Sequence, residues 1–189
     1  PAAADREPDE HREEDPLLSQ ARVPHQTVAE AFVTAATPQD NLDSPASWRA
    51  PDGRRWLIVT AKATHALVVF DGDSGERLRV VGGRGRALGQ LDRPNGIAVI
   101  DDTLFVVERD NRRVQMFSLP DFTPRLSFGS DALREPYGLW VRRQGDGYEV
   151  VVSDNYMSAG DKDVPPPLAD LGERFRRYHV AASGRGWQA

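Results

Sequence analysis

The stretch "RPNGIAVIDDTLFVVERDNRRVQMFSL", Arg93 to Leu119, holds short apolar runs set apart by Asp101 and Asp102 and by a knot of charge from Glu108 to Arg113. Runs of four to eight residues rich in Val, Ile, Leu and Phe, broken by Asn and Asp, read as strands joined by tight turns. The knot itself has two readings. Either it turns a hairpin with solvated charges, or it holds something anionic.

The same pattern extends in both directions from Asp43 onward. "WLIVTAK", "ALVVFD" and "RLRVVGG" precede the stretch, and "RLSFG", "GLWVRR", "YEVVVSD" and "RFRRYHV" follow it. Short runs of β-branched and aromatic residues between Gly, Pro, Asn and Asp predict an all-β protein. Laid under one another, the runs form three copies, opening at Pro45, Pro94 and Pro136, which stand 49 and 42 residues apart. A four-stranded propeller blade takes about 40 to 50 residues, so the copies fit blades. Lys62 to Phe70 and Arg109 to Phe117 both span eight residues, and the first two central hairpins therefore match.

The third copy departs from the others. Asp154 to Tyr178 spans 24 residues, so about sixteen are inserted, "YMSAGDKDVPPPLADLGE". Its prolines, Pro165 to Pro167, cannot donate ladder hydrogen bonds, which predicts a loop outside the sheets with a short helix after it. A six-bladed ring needs about 270 residues, and three copies supply about half. The expectation is a partial β-propeller, about three four-stranded blades of a six-bladed ring, with residues 27–189 as its N-terminal half. Its sheets are expected in an arc, its C-terminal half is a missing partner, and another strand should begin at "ASGRGWQA". "TVAEAF" (Thr27 to Phe32) reads equally as a helical turn or a first strand.

Composition narrows the function. The 189 residues are 39% hydrophobic, enough for one domain with a sizeable core. The net charge of −5 sits in residues 1–16, where seven acids face Arg6 and Arg12, leaving 22 acids against 22 bases elsewhere. Residues 1–26 are thus expected as an acidic disordered tail, and the balanced remainder offers no basic field for nucleic acid. No apolar run approaches the roughly 18 to 20 residues of a spanning helix, so no membrane insertion is expected. The absence of cysteine excludes disulfides, thiolate metal sites and a cysteine nucleophile. A chain starting at Pro1 is processed or a fragment; "PAAA" as the remnant of a small-residue cleavage site gives the expectation of a secreted or periplasmic protein.

Three motifs carry no chemistry. "GGRGRALG" (Gly82 to Gly89) precedes a strand rather than opening a helix, which argues against a dinucleotide site. "DGDSGE" (Asp71 to Glu76) begins like a calcium loop, but Gly82 stands where a bidentate acid is needed, so it reads as a hairpin turn. His11, His25, His65 and His179 show no metal-ligand spacing.

The second copy resembles an NHL repeat in its glycine-rich lead, its Pro-Asn-Gly-Ile-Ala-Val strand and its Asp-Asn-Arg-Arg-Val-Gln hairpin. From Asp40 to Val180 the chain looks like the β-propeller phytases and their bacterial phytase-like relatives. "DNLDSPASW" is similar to that family's opening motif, "AKATHALVVFDGDSGE" to its lysine-rich turn and following strand, "VVERDNRRVQMF" to its arginine-bearing hairpin, and "PYGLWV" to its Tyr-Gly-Leu strand. The resemblance implies a calcium-dependent phosphomonoesterase acting on phytate or another inositol phosphate. It implies that Asp43 is a calcium ligand, that Arg109 and Lys62 bind substrate phosphate, and that Tyr137 contacts it. Ser44 stands where the family has a second acid, and Asn155 where it tends to carry a lysine. An NHL-type scaffold that binds a protein or carbohydrate is the alternative.

The residue types suit that chemistry. A phosphomonoester carries close to two negative charges and needs cations to bind it, and calcium takes six to eight oxygen ligands. Each residue also has a plainer reading. Arg109 can pair with Asp110 or Glu108, Asp43 can cap a turn, Tyr137 can pack between blades, and Lys62 can be solvated. If Arg109 binds phosphate as the resemblance implies, Arg112 and Arg113 are expected to be the ordinary hairpin charges.

Overall fold

The computed structural model describes residues 28–158, 164–184 and 186–189. The chain falls into two compact units, Pro1–Ala31 and Phe32–Ala189. The expected acidic tail lies outside the described residues. Of "TVAEAF", residues 28–32 form neither helix nor strand, and Thr27 is not described.

The second unit is all-β. β1 (Leu42–Arg49), β2 (Arg55–Ala61), β3 (Ala66–Asp71) and β4 (Arg77–Gly82) form the first sheet in sequence order. β5 (Pro94–Ile100), β6 (Thr103–Glu108), β7 (Arg113–Ser118) and β8 (Thr123–Phe128) form the second. β9 (Pro136–Gln144), β10 (Gly147–Asp154), β11 (Phe175–Ser183) and β12 (Gly186–Gln188) form the third. Every named pairing is antiparallel. Three four-stranded meanders packed in series make a propeller-like architecture. The strand expected at "ASGRGWQA" is β12, the outer strand of the third sheet.

Alternation along the strands creates the stack. Leu104 and Val106 of β6 face the first sheet and pack with Trp48, Trp56, Ile58, Leu67 and Val69. Phe105 and Val107, one residue over, face the third sheet and pack with Tyr148, Val150, Val152 and Val180. A strand buried on both faces is mostly apolar at successive positions, which is why "TLFVV" reads as a continuous hydrophobic run. The Trp48 indole N–H also donates to Asp102 across the first interface at 3.0 Å.

The insertion leaves β10 and returns at β11. Pro165 to Pro167 lie outside any strand, and Leu168–Glu173 form a short 3-10 helix, as the prolines require. The "DGDSGE" segment is a hairpin turn, in which Asp71 Oδ1 accepts from the backbone of Asp73 and Ser74 at 3.0 and 2.8 Å. An earlier turn, Pro38–Asp40, is tied to β4 because buried Asp40 pairs with Arg77 at 2.6 Å; that hydrogen bond holds the Asp40 carboxyl below its ordinary pKa.

Two expectations need correction. The first concerns the repeat. Leu42 pairs with Ala61 as Pro94 pairs with Glu108 and Pro136 with Asp154, so Leu42, and not Pro45, is the counterpart of the two later prolines. Pro45 matches Ile97 and Leu139, since these face Val59, Val106 and Val152. A proline near the start of each run made the shifted alignment look right.

The second concerns Arg113, which is no solvated hairpin charge. It is buried, and its Nε donates to Glu108 Oε1 at 2.6 Å. Register places Glu108 opposite Arg113, with Gln115 two residues on and therefore on the same face. Arg112, at φ 54°, is exposed, as expected of a turn. Truncating one partner of a buried, hydrogen-bonded ion pair strands the other, a cost of about 3–5 kcal/mol. Glu108→Ala should lower unfolding free energy by that amount in urea titration, whereas Arg112→Ala should change it by less than about 0.5 kcal/mol.

Candidate functional site

The three sheets repeat one local geometry at the end where β2, β6 and β10 finish. In each, the first residue after that strand donates its backbone N–H to the carbonyl just before the first strand of the sheet. Lys62 donates to Asn41 at 3.1 Å, Arg109 to Arg93 at 3.1 Å, and Asn155 to Glu135 at 2.9 Å. Lys62, Arg109 and Asn155 are therefore equivalent positions.

Each first strand also carries the same β-bulge. Between Leu42 and Pro45, Pro94 and Ile97, and Pro136 and Leu139 the strand advances three residues while its partner advances two. Bulges re-aim side chains and are frequent beside functional sites. The first residue after the paired position is Asp43 in β1, Asn95 in β5 and Tyr137 in β9. In the outer two sheets a hydroxyl accepts from the bulge backbone: Thr60 from Ser44 N–H at 3.0 Å and Ser153 from Gly138 N–H at 2.9 Å.

Of the four residues singled out in the sequence, Asp43, Lys62 and Tyr137 meet at this end, and Arg109 shares a cavity with Tyr137. Lys62 Nζ lies 2.5 Å from Asp43 Oδ1 and donates to the Tyr137 hydroxyl at 3.4 Å. The ammonium also stands 5.4 Å from the centre of the Tyr137 ring, within cation–π range. One lysine thus links the first sheet to the third. Tyr137 in turn lines a cavity of about 140 Å³ with Arg109, Glu135, Asn155 and Met157. Arg109 also makes the plainer contact, its Nε donating to Asp110 at 2.7 Å. Arg109 is thus paired on its hairpin, as its plainer reading has it, and also borders the cavity.

Glu135, Met157 and Asn95 were not singled out from the sequence. Glu135 could have been found as the residue whose carbonyl takes the Asn155 N–H, and Asn95 as the counterpart of Asp43 and Tyr137, once the repeat was aligned on Leu42. Met157 belongs to the insertion and has no counterpart to reveal it. A larger cavity of about 340 Å³ lies elsewhere, on the third sheet, lined by Arg142, Gln144, Glu149, Arg177, Tyr178 and His179. Its one carboxylate, Glu149, is already met by Arg142 at 2.5 Å and Arg177 at 3.5 Å.

Calcium does not fit the described residues by themselves. It takes six to eight oxygens, mostly carboxylate and carbonyl. Asp43 has an ammonium against one oxygen, and the described residues hold no cluster of three His, Cys, Asp or Glu side chains.

No family model matches the chain, and no curated protein does. Among solved structures, hydrazine synthase of Kuenenia stuttgartiensis is similar at a TM-score of 0.45 and 15% identity, over 68% of this chain and 36% of that one. So weak a likeness bears on neither fold nor activity.

The Lys62 pair has a pH signature. Burial disfavours the charged ammonium, but the hydrogen bonds to Asp43 and Tyr137 outweigh it and raise the Lys62 pKa above its ordinary value. A lysine whose pKa is raised on folding stabilises the fold fully below the unfolded value of about 10.4 and loses that contribution as pH climbs through the raised one. The difference in thermal midpoint between wild type and Lys62→Met should stay constant from about pH 7 to 9 and shrink only above about pH 10.4.

Proposed function

We propose that this chain is the N-terminal half of a six-bladed propeller that binds and hydrolyses phosphate monoesters of the inositol phosphate class, phytate among them, in a secreted or periplasmic setting. The supporting observation is that Tyr137 of the third sheet takes a hydrogen bond from Lys62 of the first and lines a cavity with Arg109 of the second, all at matching strand ends. A phosphoryl group needs charge-assisted donors held in a fixed array, and such an array of an ammonium, a guanidinium and a phenol hydroxyl supplies them. Arg109 offers the forked donors that suit phosphate oxygens, and its Nη groups are not committed by the bond that Nε makes to Asp110.

In this reading the chain's residues bind and orient. Lys62 and Arg109 draw the ester in and offset its charge, while the Tyr137 hydroxyl donates to a phosphoryl oxygen and fixes the ester's direction. Calcium dependence follows only if Asp43 is joined by ligands from further blades. Calcium would then supply charge relief and an activated water.

The second reading is a non-catalytic NHL-type scaffold that binds a protein or carbohydrate on the same face. The pairing of both cations, Lys62 with Asp43 and Arg109 with Asp110, favours it, because paired charges leave less for a substrate.

Phosphate release from phytate by the full-length protein, with calcium and with a chelator, separates the two. On the hydrolase reading, Arg109→Ala should lower kcat/KM by about 10- to 150-fold, the equivalent of about 1.5 to 3 kcal/mol, and Arg112→Ala by less than about twofold. Equal effects from the two substitutions, or no release under either condition, would leave the scaffold.

A further inference from the structure

Asn95 is the one of the three bulge residues whose side chain has nothing to hold. It is fully buried, and neither its amide nitrogen nor its amide oxygen has a hydrogen-bond partner. Its counterparts are both engaged, Asp43 and Tyr137 meeting at the Lys62 ammonium. β5 packs between β1 and β9, so Asn95 stands in the middle of the row that Lys62 spans. The strands are in close contact there: a Cβ on Gly96 would come within 2.7 Å of Tyr137 O and 2.8 Å of Gly138 Cα. Val107 occupies the place from which Thr60 and Ser153 supply a hydroxyl to their bulges, and valine has no hydroxyl to offer β5.

A buried amide with both ends unmet costs about 1–3 kcal/mol for each stranded group, and a protein keeps one where something else completes it. We propose that Asn95 is a ligand-binding residue of the strand-end site, its Nδ2 donating to a phosphoryl oxygen and its Oδ1 accepting from a hydroxyl beside the ester. This rests on the phosphate-ester reading above and narrows the substrate class. A fully phosphorylated ring has no free hydroxyl, and its ionised phosphoryl oxygens meet only the Nδ2 half of the amide. A phosphate ester of a polyol with a free hydroxyl on the neighbouring carbon, such as a partly dephosphorylated inositol phosphate, satisfies both halves. The ligand reaches Asn95 by drawing the Lys62 ammonium off Asp43 and Tyr137.

Two probes of equal charge isolate the hydroxyl: glycerol 3-phosphate, which has it, and 3-hydroxypropyl phosphate, which keeps the terminal hydroxyl but lacks the one on the carbon next to the ester. Binding is read from the side-chain amide resonance of Asn95 and from titration calorimetry, neither of which needs turnover. The Asn95 amide resonance should shift saturably, and glycerol 3-phosphate should bind at least about fivefold more tightly, a step of about 1 kcal/mol for the added hydrogen bond. Asn95→Leu, close in shape and apolar, should raise the thermal midpoint, weaken both esters by about tenfold or more, and abolish the difference between them. Equal affinity of unmodified protein for the two esters, no binding of either, or an Asn95→Leu affinity within twofold of wild type would each overturn the proposal. The two readings fail separately. Asn95-dependent binding without phosphate release sinks the hydrolase and leaves the ligand site standing. Binding and hydrolysis that depend on Arg109 and ignore Asn95 do the reverse.

Discussion

Much of the second sheet depends on one buried carboxylate. Glu108 is fully enclosed, and its two oxygens accept from Asp92 N–H at 2.8 Å, Asn111 at 2.6 Å, Gln115 at 2.7 Å and Arg113 at 2.6 and 3.4 Å. Arg113 turns its remaining donors to the carbonyls of Arg86, Ala87 and Gln90, and Gln115 bridges Gly89 and Gln90. A buried charge is expensive, and only a complete set of partners offsets the cost. That set binds the glycine-rich connection between the first two sheets and fixes where β5 begins. The knot of charge therefore does hold an anion, and the anion is its own Glu108. Arg109, one residue on, takes no part in that set and instead pairs with Asp110 beside the cavity.

The sheets were legible in the sequence because the middle strands carry short runs of Val, Ile, Leu and Phe, and because Gly, Asn and Asp mark the turns. Lys62–His65 and Arg109–Arg112 are even the same turn, closing with His65 at φ 56° and Arg112 at φ 54°. Register was harder to read. A bulge leaves no composition signal of its own, so the copies were aligned on prolines and the first was displaced by three residues. Arg113 was misread for a related reason: charges in a hairpin are usually solvated, and only strand pairing shows that Glu108, Arg113 and Gln115 share an inward face.

The candidate site was half legible. Asp43, Lys62, Arg109 and Tyr137 came from resemblance to a family; the first two do meet Tyr137, and Arg109 shares a cavity with it. Asn95 came from neither composition nor resemblance, because an asparagine after a proline at the start of a strand looks like turn chemistry. Its meaning is positional. The equivalent places of the three sheets hold Asp43, Asn95 and Tyr137 in one row and Lys62, Arg109 and Asn155 in the other. A common backbone thus presents an acid, an amide and a phenol beside two cations and a second amide. Repetition sets the geometry, and divergence at matched positions sets the chemistry.

Charge balance then constrains what this end of the fold can bind. Lys62 is matched by Asp43 and Arg109 by Asp110, and Glu135 adds a further carboxylate to the cavity wall. At rest the cluster is neutral or slightly negative, so an anion cannot simply settle onto free positive charge. At Lys62 it must exchange places with the Asp43 carboxylate, whereas at Arg109 the Nη groups stay open to it. An anion that draws Lys62 away leaves Asp43, whose side chain is only 22% exposed, with an uncompensated charge, and that cost is subtracted from the anion's own affinity. The penalty disappears only when a second positive charge meets Asp43 as Lys62 leaves it. Were an anion to take Lys62 from Asp43, a cation at Asp43 would favour it, and each would strengthen the other by the same factor.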